Sequence, residues 1–140
     1  MDWLAFQAAN IICGNPQYCE GLELVITPGG GNNLIFKALF HVSAVLSVTG
    51  SPTFVSIDGL EVSMWTKLVV PAGSKLTVGG NLQSGEVQSK GLRAYIAVRG
   101  GFPDIPEYLG SKSTTLGAGG YQVANDTHSN TIILFSYHNF

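Results

Sequence analysis

The residues best suited to chemistry lie between positions 99 and 122. There Ser111, Ser113 and Thr114 offer hydroxyls that donate and accept, and Lys112 offers a cation to a carboxylate or a urea-like oxygen. The glycines around them let the backbone approach a ligand closely or turn at positive φ. Such a loop suits a planar, polar, anionic substrate. Composition alone leaves a second reading open, an ordinary connecting loop, because glycine and serine are what loops are made of.

Other reactive residues form weaker patterns. His41, His128 and His138 share no helical i, i+4 spacing and stand in no metal-ligand pattern, so they read as structural or surface residues, and no metal is expected. The run Gly29-Gly30-Gly31-Asn32-Asn33 could cradle an anion with its N–H groups. It lacks the Lys-Ser/Thr ending of a phosphate loop, however, and precedes a strand pattern, so it reads as a strand connection. Asn125-Asp126-Thr127 matches a glycosylation sequon, a pattern short enough to arise by chance. Cys13 and Cys19 have five residues between them, which fits neither a CxxC pair nor a disulfide framework. Two free thiols in a reducing compartment are expected.

The elements that must carry the loop read as mainly β. Asp2 can cap a helix over residues 3–13, in which Leu4, Ala8, Ile11 and Ile12 share one face, and Gly14 with Pro16 supplies a stop. Residues 22–27 read as a strand. Residues 34–48 alternate apolar and polar, with Lys37, His41, Ser43 and Ser47 in the second register, which predicts one long or bent strand with a single buried face. Asp58-Gly59 between residues 53–57 and 60–65 predicts a type I′ hairpin. Pro71-Ala72-Gly73 predicts a turn between residues 67–70 and 75–78. Residues 81–90 are polar and expected at the surface. Residues 92–98 return as a strand with Leu92, Ala94, Ile96 and Val98 on one side. Six or so strands at this spacing predict a barrel or sandwich rather than a βαβ fold.

Composition narrows the class. With 140 residues the chain accommodates one core, and 45% apolar residues against 11% charged, with 18 glycines, favour short strands and tight turns. The net charge is −2 and the seven Lys and Arg are scattered, which excludes a phosphate-tracking stripe and hence nucleic-acid binding. Charges interrupt every apolar run before the roughly 18 residues a membrane span needs, and no basic region followed by an apolar stretch opens the chain. The expectation is a soluble, cytoplasmic protein.

The order of the residues carries more than their composition. The run Gly91-Leu92-Arg93-Ala94-Tyr95-Ile96-Ala97-Val98-Arg99-Gly100-Gly101 is followed by Leu109-Gly110-Ser111-Lys112-Ser113-Thr114 and Gly119-Gly120-Tyr121. Together they closely resemble the biotin-dependent carboxyltransferase domain family, which includes urea amidolyase and proteins of the allophanate hydrolase and 5-oxoprolinase systems. Met1-Asp2, Leu4-Ala5-Phe6, Ala9-Asn10, Gly14-Asn15-Pro16 and Gly21-Leu22-Glu23 resemble the helix and first strand of that domain, so the likeness covers about residues 1–122. Phe102-Pro103-Asp104-Ile105-Pro106-Glu107-Tyr108 looks most like the fungal urea amidolyase version.

The resemblance implies a cyclophilin-like β-barrel and the transfer of a carboxyl group from carboxybiotin, held on a separate carrier domain, to urea, giving allophanate. It implies substrate binding by Gly110, Ser111, Lys112, Ser113 and Thr114, with Gly119, Gly120 and Tyr121 shaping the far side, and Lys112 stands where relatives often carry Arg. No catalytic residue is assigned. The partners implied are the biotin carrier and the other domain halves of the same enzyme.

Two departures qualify this expectation. The chain opens at the Met-Asp of the helix, without the family's upstream Gln-Asp and Gly-x-Pro-x-Ser-Gly segments, and after Gln122 it reads Val-Ala-Asn-Asp-Thr-His-Ser-Asn where relatives continue with Gly-Arg. A partial barrel over residues 1–122, a divergent tail over 123–140 and a fragment inactive alone are therefore expected. Whether Ile132, Ile133, Leu134 and Phe135 form a strand or stay disordered is left open. So are two rivals, a non-catalytic protein that binds a related β-barrel partner and a remnant without function.

Overall fold

The computed structural model describes residues 2–25, 36–79, 93–107 and 111–113, together with the backbone of 132–135. The expected turn at 28–33 and the polar segment at 81–90 lie outside the described residues. Leu34, Leu92, the sequon and two of the histidines, His128 and His138, also lie outside them.

The chain opens with helix α1 (Trp3–Cys13), bounded as the capping signals predict. Asp2 Oδ1 accepts the Ala5 N–H at 3.1 Å, and Gly14, at φ 92°, returns its own N–H to the last turn of the helix. The buried face differs from the expected one. Ala5, Phe6, Ala9, Asn10 and Cys13 point inward, while Leu4 is 77% and Ile11 59% exposed. Ala5 and Ala9 are small enough for the helix backbone to lie against the sheet, where Ser47 Oγ donates to the Ala9 carbonyl at 2.5 Å and Thr49 Oγ1 to the Ala5 carbonyl at 2.6 Å. Larger side chains in place of Ala5 and Ala9 would hold the two apart.

Nine strands follow among the described residues: β1 (Gly21–Val25), β2 (Phe36–Leu39), β3 (Ala44–Gly50), β4 (Val55–Ile57), β5 (Leu60–Glu61), β6 (Leu68–Val70), β7 (Lys75–Val78), β8 (Arg93–Val98) and β9 (Ile132–Phe135). They form two antiparallel sheets, ordered β6-β3-β8-β1-β9 and β2-β7-β4-β5. The mainly β class with one short N-terminal helix is as expected. Among the described residues the strand pairing leaves two open sheets, a partial rather than a closed barrel.

The single long or bent strand expected over residues 34–48 is instead two, β2 and β3, in different sheets. The alternation survives because both segments turn their even-numbered residues toward one core from opposite sides. The corner at residues 40–43 is fastened to a second one at 71–74, where the chain crosses back from β6 to β7. Phe40 N–H donates to the Ser74 carbonyl at 3.0 Å and Gly73 N–H to the Phe40 carbonyl at 2.7 Å. Nor does β3 bury only one face, since Ser47 and Thr49 in its second register are covered by α1. The Asp58-Gly59 hairpin forms as predicted. Both residues have positive φ, 51° and 83°, and Ile57 pairs with Leu60.

The strand β8 lies at the centre of the larger sheet, buried on both sides. Ala94 and Ile96 face the inter-sheet core with Leu24, Leu46, Val48 and Leu76, whereas Tyr95 and Ala97 meet Phe6 and Ala9 of α1. The Tyr95 and Phe6 rings meet edge to face, with centroids 6.0 Å apart, and the Tyr95 oxygen accepts the Asp2 N–H at 2.6 Å. Opposite Tyr95 in the ladder, the buried Glu23 is paired with Arg93 at 3.1 Å. Packed from both faces, β8 is a rigid support for whatever its C-terminal end carries.

Candidate functional site

At the end of β8 three segments meet: the turn after α1, the Arg99-Gly100-Gly101 exit, and residues 111–113 of the loop. Gly101 N–H donates to the Val98 carbonyl at 2.9 Å, which closes a tight turn with positive φ at both Gly100 and Gly101. Asn15 joins this turn to the helix end. Its Nδ2 donates to the Val98 carbonyl at 2.8 Å and to Asn10 Oδ1 at 3.0 Å, and its Oδ1 accepts the Gly100 N–H at 2.8 Å. Asn10, fully buried, donates to the Cys19 carbonyl at 2.8 Å. Arg99 Nε donates to the Cys13 carbonyl at 2.8 Å, so the exit from β8 supplies a cation to the negative end of α1, whose own last turn has none.

The carboxylate of Glu20 lies where these segments converge. Oε1 accepts the Lys112 ammonium, while Oε2 accepts the Phe102 N–H at 3.4 Å and the Cys19 thiol at 3.4 Å. The side chains of Glu20 and Lys112 are each 16% exposed. Gly101 makes this approach possible, since a Cβ there would collide with both Cys19 Sγ and the Glu20 carboxylate. Burial works against the charge on Glu20, but the hydrogen bonds from Lys112 and from neighbouring N–H and S–H groups outweigh it and hold the carboxyl at about 2. Burial and the adjacent Glu20 push the Cys19 thiol up to about 11, and burial likewise raises Cys13. At neutral pH both sulfurs stay protonated and are poor nucleophiles.

Of the residues expected to bind substrate, the structure brings Ser111, Lys112 and Ser113 to this place. Gly110, Thr114, Gly119, Gly120 and Tyr121 lie outside the described residues. Ser113 N–H donates to Ser111 Oγ at 3.1 Å, a bond that does not use the Ser111 hydroxyl hydrogen. Ser111, Lys112 and Ser113 are half-buried, and the ammonium meets a carboxylate of the chain itself. The arrangement thus offers hydroxyl and backbone donors beside a neutralised cation, a setting for orienting a polar planar group. Among the described residues, no group of three or more His, Cys, Asp and Glu could hold a metal ion, and no helix is long and apolar enough to cross a membrane.

Sequence reasoning missed Glu20, Asn10 and Asn15. Asn10 carried a usable signal, being with Gln7 one of two polar residues in a largely apolar helix, and a polar side chain must find a partner once buried. Glu20 carried none, because its partner is 92 residues away.

Comparison with known proteins identifies the family. The family model of the carboxyltransferase domain, subdomain A and B, matches residues 1–132. A protein of Emericella nidulans named "Putative urea carboxylase" is 41% identical over 124 residues, which cover 87% of this chain and 9% of that protein. The urea amidolyase of Saccharomyces cerevisiae is 37% identical over 123 residues, 86% of this chain and 6% of the yeast protein. The crystal structure of the K. lactis urea amidolyase superposes with a TM-score of 0.70 at 29% identity, over 97% of this chain and 7% of that one. The chain therefore spans 6 to 9% of the length of these curated relatives. On the family match and on its identity to these proteins, the chain belongs to the biotin-dependent carboxyltransferase domain family of urea carboxylase and urea amidolyase.

Proposed function

We propose that this chain contributes part of a carboxyltransferase site that moves a carboxyl group from carboxybiotin, held on a separate carrier domain, to urea, giving allophanate in cytoplasmic urea degradation. The observation that carries the reading is the docking of Ser111, Lys112 and Ser113 onto Glu20 at the end of β8, in a chain 41% identical to a protein named as a urea carboxylase. In this reading residues 1–122 are the carboxyltransferase-type unit, and the tail contributes an edge strand, Ile132–Phe135, along β1.

The biotin ureido ring is planar and uncharged, with one carbonyl acceptor and, while one nitrogen carries the carboxyl group, a single N–H donor. Hydroxyls such as those of Ser111 and Ser113, which donate and accept, fit it better than a free cation would, and Lys112 is neutralised by Glu20. Biotin, when bound, supplies the activated carboxyl group. The residues of the chain orient the acceptor and present donors to the oxygen on which negative charge develops. The family resemblance also implies Gly110, Thr114, Gly119, Gly120 and Tyr121 in substrate binding, all of them outside the described residues. Turnover requires the carrier and the other domain halves of the enzyme, so binding is the direct test of this chain. Titration with a biotinylated carrier domain and urea should show affinity for both, and Ser111→Ala should weaken it by about tenfold, the worth of one well-made hydrogen bond. Equal affinity in wild type and in the Ser111→Ala variant would remove the loop from the site.

A further inference from the structure

We propose that Glu20 is the positioning residue of the substrate loop: its carboxylate gathers the Lys112 ammonium and the Phe102 N–H, and so sets where Ser111 and Ser113 stand relative to β8. The inference deepens the carboxyltransferase reading and rests on it for what the loop binds. The placement of the loop rests on geometry alone.

The donors to Glu20 come from separate parts of the chain. Phe102 belongs to the exit from β8 and Lys112 to the loop, while Glu20 itself sits in the turn before β1. That turn is held independently, because Asn10 binds the Cys19 carbonyl and Asn15 binds both Val98 and Gly100. Glu20 is thus anchored from behind before it meets the loop. Gly101 leaves the space its carboxylate occupies, and the pair lies largely out of water, where removing one partner strands a buried charge.

The role of Lys112 changes accordingly. A lysine free to reach ligand would attract an anion from solution, whereas one held by a carboxylate fixes the backbone on either side of it. The next residue's N–H makes the bond to Ser111 Oγ that folds the two serines together. Glu20 therefore acts on ligand through Lys112 and the serines without touching it.

The test compares the 140-residue wild-type chain with Glu20→Gln, Lys112→Met and the reversed pair Glu20→Lys/Lys112→Glu, using amide exchange at Ser113 and the affinity for biocytin, a small biotin amide. Each single substitution should speed exchange at Ser113 about tenfold and weaken biocytin to a similar degree, with Ile96 exchange unchanged, as for a local opening. The reversed pair should recover both only in part, because a lysine at position 20 can meet a carboxylate at 112 but cannot accept the Phe102 N–H. Lys112→Met reads the pair from its other end should Glu20→Gln fail to fold. Unchanged Ser113 exchange in both single variants overturns the proposal. If wild type binds no biocytin, the carboxyltransferase reading fails, and the exchange rates still decide whether Glu20 positions the loop.

Discussion

Asn15 accepts the N–H of Gly100 at 2.8 Å, across 85 residues of sequence, and with its amide nitrogen donates to the carbonyl of Val98. One short side chain thereby joins the helix terminus to the exit of the central strand. The Gly14-Asn15-Pro16 and Arg99-Gly100-Gly101 motifs, both visible in the sequence, turn out to be two halves of one junction. Replacing Asn15 by Ala removes two half-buried hydrogen bonds and one exposed one and should lower stability by about 2 kcal/mol. Guanidinium unfolding of the variant measures this, and a loss below about 0.5 kcal/mol would show that the junction carries no load.

Gly100 and Gly101 are neighbours with positive φ, 90° and 65°, but in unlike surroundings. A Cβ on Gly100 meets nothing within 4 Å, whereas one on Gly101 strikes Cys19 Sγ and the Glu20 carboxylate. Gly100→Ala should cost only the backbone term, about 1 kcal/mol. Gly101→Ala should cost clearly more and also displace Glu20, seen as a change in the Lys112 side-chain resonances. Equal costs for the two substitutions would contradict the close approach.

The Glu20 carboxyl titrates at about 2 in the folded chain against an ordinary value of 4.5. Its pKa is depressed, so its contribution to stability is complete above 4.5 and is lost as pH falls toward 2. The stability gap between wild type and Lys112→Met should therefore be constant from pH 7 to about 5 and shrink between 4.5 and 2. Guanidinium midpoints at pH 7 and pH 3 measure it. A gap that widens on acidification would reverse the sign and remove the ion pair as its cause.

Much of this fold was legible because its local signals are strong. Asp2 and Gly14 set the ends of α1, and Asp58-Gly59 set the hairpin, since capping and φ > 0 turns depend on a few adjacent residues. What failed depended on distance. The outward Leu4 and Ile11 looked like a core stripe because helical spacing cannot say which apolar face a neighbour will cover, and here the small Ala5 and Ala9 allow the closer contact. The break between β2 and β3 was hidden because alternation continues through a corner when both strands face one core. At the candidate site, Ser111, Lys112 and Ser113 were singled out by motif, while Glu20, which receives Lys112, has no local pattern that announces it.

The most direct test of the central claim is amide exchange across residues 111–113 of the purified chain, with and without urea plus a biotinylated carrier domain. If this place is where carboxyl donor and acceptor meet, exchange at Lys112 and Ser113 slows when both are added, and the effect is lost in Ser111→Ala. Exchange that stays the same with and without them would contradict the account, leaving a chain with the fold of its family and no substrate site at the end of β8.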